Sequence, residues 1–562
     1  MTSSRNVRSV HTRAVIGRVA LAAALSASLC LGTARAQVAF HETVVVPSTN
    51  PLEGSSSKSG SDLAVAGAFA LVCAPERLHG PDGGPNGGVY IFSRDAAGAW
   101  TEVGFTKGIS PTGFGDSIAF DGTRSLVGGY GLYINGQWQN GVAQFSEYVE
   151  GQGWPTRGFF TREGLAACER FGASVALDGS WAVVGAPGDA ADGANQSGDV
   201  WIFRADVSGL WTLAQTLTPP KHTDVGFGAS VALVGDTLLV ACEFSLAGAP
   251  INGAVYAYRR AANDTWTLEA EFDDVDPAPL SLAYADLALE DGRAYIGAPR
   301  QPTGTFLQQR YGCVFVWERD ASGTWTHVDT IHPENATTSA RFGSRIELAG
   351  DRLAILSNGS STVVPTGDGD GSVDLYERYG TDTWSHVIRF KADPTVFSVK
   401  FGIVGLEFAG DQLFIGHASQ TPGRILFHDL GSLYHTKRII DLSTGGAQDL
   451  FLRPGPPFAG DIYVMLGSLS GTSPGVDIGV GTLPLVVDSY TTTLLSSGGG
   501  ELFTPWLGLL DADGHATTQF ALPSASSPSF AGLTLHHAFV SFEPTTLAPT
   551  HVSNAVAVSL VP

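Results

Sequence analysis

Short apolar stretches, many with alternating polar or small positions, are set between clusters of Gly, Asp, Ser and Pro along most of the chain. That pattern predicts β-strands joined by tight turns. Trp181-Ala182-Val183-Val184 is such a strand and ends in Gly185-Ala186-Pro187. Tyr295-Ile296-Gly297-Ala298-Pro299 repeats the design, and Val72-Cys73-Ala74-Pro75 is a weaker copy. A second type of strand follows a glycine, as in Gly88-Val89-Tyr90-Ile91-Phe92, Gly198-Asp199-Val200-Trp201-Ile202-Phe203 and Gly371-Ser372-Val373-Asp374-Leu375-Tyr376. No convincing helical period follows residue 36, so the expected fold class is all-β.

These strands recur with a period. Phe171-Gly172-Ala173-Ser174-Val175-Ala176-Leu177 returns as Phe227-Gly228-Ala229-Ser230-Val231-Ala232-Leu233, and degenerate copies begin at Ser59, Phe114, Tyr284, Phe342 and Phe401. The seven units are spaced by 55 to 59 residues. Six of them place Trp at the start of a fourth strand: Trp100, Trp154, Trp211, Trp266, Trp325 and Trp384. Four short strands per unit is the signature of one β-propeller blade, which must stack on its neighbours to bury both faces. Small residues on the first strand suit the crowded centre of a ring, and aromatic residues later in the unit suit the wide gaps between blades.

The seventh unit has Phe401-Gly402, Gln412-Leu413-Phe414-Ile415-Gly416 and Arg424-Ile425-Leu426-Phe427 but no Trp-led strand. Phe40 to Pro47 reads like the fourth strand Thr326 to Pro333. We therefore expect the N-terminal strand to complete the seventh blade, closing the ring without a long open edge. The Phe-Gly and Gly-Ala-Pro pairs resemble FG-GAP repeats, known from the head of integrin α chains and from secreted bacterial proteins. The resemblance implies a seven-bladed propeller acting as an extracellular recognition platform, with function residing in the loops.

The first 36 residues read as a secretory signal: Arg5, Arg8, Arg13 and Arg18, an apolar run from Val19 to Leu31, then Ala34-Arg35-Ala36. The run is shorter than the roughly 20 residues that span a bilayer. Five of the 32 Lys and Arg lie in this leader, leaving 27 basic against 54 acidic side chains. So acidic a surface argues against nucleic acid or anionic membrane as partner. Cys73, Cys168, Cys242 and Cys313 fall in four different units, too far apart for disulfides, and read as buried thiols.

Candidate chemistry is sparse. Integrin-type repeats carry calcium on Asp-x-Asp-x-Asp-Gly loops, and the closest match is Asp368-Gly369-Asp370-Gly371 in the sixth unit, making Asp368 and Asp370 the calcium candidates. Asp374, at the register of Trp201, sits inside a strand and is expected to point away from that loop. Asp189 and Asp192, and Asp511-Ala512-Asp513-Gly514, fit less well. Gly115-Asp116-Ser117-Ile118 resembles the nucleophile block of GDS-type esterases, but it aligns with Gly172-Ala173-Ser174-Val175, so the repeat explains it. His536 and His537 are adjacent in a strand and face opposite ways. No catalytic residue is expected, and no cofactor beyond calcium.

From about Ile439 the period stops. Ile462 to Leu466, Leu483 to Val487, Thr517 to Leu522, Ala538 to Phe542 and Val556 to Leu560 predict a C-terminal β-sandwich. The expected organisation is a leader over 1–36, a seven-bladed propeller over 37–438 and a sandwich over 439–562. The expected function is a monomeric, secreted or cell-surface binding or adhesion protein, presenting loops Gly188 to Ser197, Gln301 to Gln309 and Ser357 to Gly367 to a protein or glycan. A propeller-scaffold hydrolase or lyase is the main alternative, and a structural envelope component a third. An enzyme should gather Asp, Glu, His or Arg at one channel mouth, whereas the inner strands here read as Ser, Ala and Gly.

Overall fold

The computed structural model describes residues 61–562 apart from 76–86, 96–99, 109–113, 130–132, 135–136, 139–140, 162–169, 189–196, 222–223, 246–252, 273–285, 291, 300–311, 334–340, 359–371, 379–383, 392–404, 410–411, 418–423, 436–438, 499–501, 513 and 525. The described residues fall into two compact units that divide between Phe427 and His428. The leader, the segment Phe40 to Pro47 and Cys168 lie outside the described residues, as do nearly all of the three candidate ligand loops.

In the first unit, consecutive antiparallel strands form one sheet after another. The first sheet is Leu63–Ala66, Phe69–Cys73, Gly88–Arg94 and Trp100–Lys107, and the second Ser117–Phe120, Arg124–Gly129, Val142–Glu147 and Thr156–Phe160. The third is Ser174–Asp178, Trp181–Ala186, Asp199–Ala205 and Trp211–Leu217; the fourth is Ser230–Val234, Thr237–Ala241, Val255–Arg260 and Trp266–Phe272. The fifth is Leu287–Glu290, Arg293–Ala298, Cys313–Arg319 and Trp325–Ile331, and the sixth Phe342–Ala349, Arg352–Ser357, Ser372–Arg378 and Trp384–Lys391. The last, among the described residues, has the three strands Leu406–Ala409, Gln412–His417 and Arg424–Asp429. The leading strands of successive sheets lie side by side, and that of the first sheet lies beside that of the last. These sheets and their packing are those of a β-propeller.

Glycine makes the seams between sheets possible. Gly172 and Gly228 have φ of 89° and 92°, open to a residue without a side chain. A Cβ on Gly185 would overlap the carbonyl of Gly228 in the next sheet, and one on Gly128 would overlap that of Gly172. The Phe-Gly and Gly-Ala-Pro motifs are thus two halves of one backbone contact. Ser117 Oγ donates to the Gly172 carbonyl at 2.9 Å, and Ser174 Oγ to that of Gly228 at 2.7 Å. The Phe residues of the motif, Phe114, Phe171, Phe227 and Phe342, are buried.

Each Trp that leads a fourth strand reaches back to the preceding sheet. Trp266 meets Trp181 edge to face at 5.8 Å, Trp325 meets Phe272 at 5.4 Å, and Trp384 meets Tyr295 at 5.8 Å. Trp211 packs on Phe145 and Trp154 on Phe69. Trp154 differs in standing just ahead of its strand rather than at its first residue. Such pairs favour edge-to-face geometry because of the ring quadrupole. Cys73, Cys242 and Cys313 are buried free thiols, Cys73 and Cys313 in the first and fifth sheets and Cys242 just after a strand of the fourth.

The second unit is built on two sheets. One has the order Leu433–His435, Gly446–Leu452, Ala516–Leu522 and Phe503–Thr504. The other runs Ile439–Asp441, Val556–Val561, Thr534–Phe542, Ile462–Ser468 and Leu507–Leu509, with Pro549–Val552 also on Thr534–Phe542. Leu450, Phe503 and Phe520 of one sheet share a core with Met465, Phe539 and Val558 of the other. Of Leu483 to Val487, only Leu483 is in a strand.

One element departs from the sequence reading, a nine-residue helix at Ser489–Ser497. Its ends are set by caps and not by an apolar stripe. The Asp488 side chain accepts from the Tyr490 and Thr491 amides, and Gly498 closes the helix at φ 68°. Gly467 leaves room for the Tyr490 ring, whose hydroxyl is 3.2 Å from Nε2 of buried His537. His537 Nδ1 lies 3.2 Å from Gln448 Oε1, so a neutral imidazole fits between the two. Burial, with His536 and His435 adding, pushes the His537 pKa down to about 3. His536 is only partly buried, so the two histidines do face opposite ways.

Candidate functional site

The strand registers place one residue of each leading strand at an equivalent level. Ser117 pairs with Gly128, Ser174 with Gly185, Ser230 with Ala241 and Arg345 with Leu356. Asp62, Asp286 and Gly405 take the same place, because their carbonyls accept from Cys73, Gly297 and Gly416. Two residues further along, and so on the same face, stand Ala64, Ala119, Ala176, Ala232, Ala288, Glu347 and Glu407. The second, third and fourth sheets thus carry only serine and alanine at these two levels, whereas the fifth, sixth, seventh and first carry Asp286, Arg345, Glu347, Glu407 and Asp62 beside Ala288, Gly405 and Ala64.

This corrects the expectation that the inner strands hold only Ser, Ala and Gly. The charged groups meet at one place although their sheets do not all adjoin. Arg345 Nη1 is 3.4 Å from Asp62 Oδ1, a bridge from the sixth sheet to the first that passes the seventh at the level of Gly405. A Cβ on Gly405 would press on the backbone of Asp62 and Leu63, so a side chain there would crowd the bridge. The free Asp62 oxygen accepts from the Ile118 amide of the second sheet at 3.1 Å. Asp286 Oδ2 accepts from the Ile346 amide at 2.8 Å, and its other oxygen is 3.5 Å from Ser230 Oγ. Asp286 therefore ties the fifth sheet to both of its neighbours, while Asp62 ties the first sheet to the second and, past the seventh, to the sixth.

Arg345 is surrounded by protein yet keeps 36% of its side chain open to solvent, so the cluster lines a space that water reaches. Burial raises the pKa of Asp62 and of Asp286, with Arg345 as the main opposing influence on each. Burial also pushes Glu347 up to about 8, assisted by the charges of Asp286 and Asp62 and opposed by Arg345. Glu407 is pushed well above the usual carboxylate range by burial and by Glu347. A carboxyl held as Glu347 is stays protonated near neutrality and is able to donate a hydrogen bond or a proton. Among the described residues, no group of three or more His, Cys, Asp or Glu is placed to hold a metal ion.

The calcium candidates Asp368 and Asp370 lie outside the described residues. Asp374 is fully buried inside its strand, where its Oδ1 is 2.9 Å from His386 Nε2 and accepts from Arg389 Nε at 2.8 Å. Asp511 accepts from the His515 amide in a turn. Ser117, of the esterase-like block, is buried with its hydroxyl committed to the next sheet. Sequence reasoning missed the inner cluster: overlaying the seven units column by column shows the single charged residues, but not that the ring brings them together.

Residues 160–203 match the profile of the FG-GAP repeat family. The chain is similar in structure to the periplasmic gluconolactonase PpgL of Pseudomonas aeruginosa, at 15% identity and a TM-score of 0.42, covering 69% of this chain and 92% of that one. It is similar also to PorZ, a surface component of the type-IX secretion system of Porphyromonas gingivalis, at 12% identity and a TM-score of 0.43. That likeness covers 92% of this chain and 61% of PorZ, so the chain spans less than two thirds of PorZ's length. No curated protein sequence matches the chain. Among the described residues no helix is long and apolar enough to cross a membrane.

Proposed function

We infer that this protein, a member of the FG-GAP repeat family, is a secreted or cell-surface binding protein: a seven-bladed propeller followed by a β-sandwich, recognising an extracellular protein or glycan. The leader over residues 1–36 directs export. The mature protein is a monomer. What carries the reading is the bridge from Arg345 to Asp62 across Gly405, which sets charged, solvent-reached side chains on rigid strands at the middle of the ring. Sites on regular elements are held more firmly than sites on loops, and a polar ligand or a ligand loop entering the ring meets Arg345 with the carboxyls around it.

The test is a screen of the mature protein against glycans and envelope extracts, with and without a calcium chelator. Saturable binding weakened by Arg345→Ala supports the inner site. Binding unaffected by Arg345→Ala but abolished by chelator moves the site to Asp368 and Asp370. No saturable binding to any glycan or extract contradicts the reading.

A second reading is favoured by the placement of Glu347 and Glu407 at equivalent positions on adjacent leading strands, where burial raises the Glu347 carboxyl to about 8. A general acid for hydrolysis or elimination needs such a protonated group beside a second carboxyl. Turnover of a glycan, lost in Glu347→Gln, would place the protein among propeller-scaffold hydrolases or lyases instead.

A further inference from the structure

Two glutamates in one layer of otherwise alanine residues need an explanation. Glu347 pairs with Ala354 on the sixth sheet and Glu407 with Phe414 on the seventh, so they hold equivalent places on leading strands that lie side by side. Flanking them in the same layer are Ala288 of the fifth sheet and Ala64 of the first, which offer no charge or hydrogen bond. The charged groups that face the pair are Asp62 from the first sheet, Asp286 ahead of the fifth and Arg345 on the sixth. Arg345 is engaged with Asp62, leaving one cation among four carboxyl groups.

We propose that Glu347 and Glu407 form a proton-held latch between the sixth and seventh sheets: protonated, they let the two leading strands lie together, and deprotonation drives them apart and loosens the ring at that seam. The place suits a latch, because the seventh sheet is where the first and last parts of the ring join. The direction of the effect follows from linkage. Glu347 has its ordinary value of 4.5 when unfolded and about 8 when folded. Its contribution is therefore full below pH 4.5 and is lost as pH rises through 8. The inference rests on the packing of the leading strands together with the raised carboxyls, and stands whether or not a ligand is found.

The experiment is limited proteolysis of the mature protein between pH 5 and 8, with rates normalised to an unfolded peptide. One proton released on opening makes cleavage rise roughly tenfold per pH unit across this window. Glu347→Gln and Glu407→Gln each flatten that rise, and a protonated-carboxyl infrared band that disappears near pH 8 in the wild type is weaker in both. Equal pH slopes in the wild type and both variants overturn the latch. Should neither variant fold, the infrared titration of the wild type decides: no such band at pH 6 overturns it equally.

Discussion

Trp100 and Phe414 stand edge to face with ring centroids 5.6 Å apart and planes at 87°. They belong to the first and seventh sheets, at opposite ends of the repeat array, yet their contact has the geometry of Trp266 on Trp181 three seams away. Phe414 joins Leu63, Val72, Tyr90 and Trp100 in one buried cluster. The seam between the last sheet and the first is built like every other seam that leading tryptophans fill. Trp100→Ala should therefore cost about 3–5 kcal/mol, the range for buried Trp truncation, and should match Trp266→Ala in a denaturant titration. A much smaller loss at Trp100 would mean that this seam is not closed.

Glycines in turns and glycines in seams should respond differently. A Cβ on Gly235 meets nothing within 4 Å, and only its φ of 59° resists substitution. Gly235→Ala should cost about 1–2 kcal/mol, the left-handed penalty alone. Gly185→Ala drives a Cβ into the Gly228 carbonyl, a backbone atom that no rotamer change can move away. It should cost more than Gly235→Ala, and the denaturant midpoints of the two variants check the order.

Ser117→Ala and Ser174→Ala should behave as a pair. Both hydroxyls donate to the same carbonyl position one sheet on. Each deletion should cost roughly 1 kcal/mol, the net value of an ordinary hydrogen bond, and neither should abolish any activity the protein has. A large selective effect of Ser117→Ala on turnover would restore the esterase reading of Gly115-Asp116-Ser117.

Much of this was legible beforehand, for identifiable reasons. The Phe-Gly, Gly-Ala-Pro and Trp columns stand out because each is fixed by a contact that admits one residue type: glycine where backbones touch, tryptophan where sheets splay. The opposite facing of His536 and His537 follows from strand periodicity alone. Two features escaped. The helix Ser489–Ser497 was invisible to periodicity, because Asp488 and Gly498 define it from its ends. The inner cluster escaped because Asp62, Asp286 and Arg345 occupy a serine column, where a single charged residue reads as ordinary variation. Only the ring brings these distant positions together. The strand Phe40 to Val46 and the pair Asp368 and Asp370 fall outside the described residues.

Acid should act first on the second unit. His537 has its ordinary value of 6.5 when unfolded and about 3 when folded, so the folded form binds fewer protons. The stability it contributes is present above pH 6.5 and is lost as pH falls toward 3, at up to about 1.4 kcal/mol per pH unit. Calorimetry between pH 7 and 4 should show the melting of this unit falling, and His537→Gln should reduce the slope. An unchanged slope would mean that His537 does not govern the transition.

The convergence of charge from separate sheets at the middle of the ring is tested most directly by a double-mutant cycle on Asp62→Asn and Arg345→Met. If the two side chains meet across Gly405, their effects on stability will depart from additivity by about 0.5–3 kcal/mol, as for residues in contact. Effects that add to within about 0.5 kcal/mol, as for distant sites, would contradict the contact and with it the site built on it.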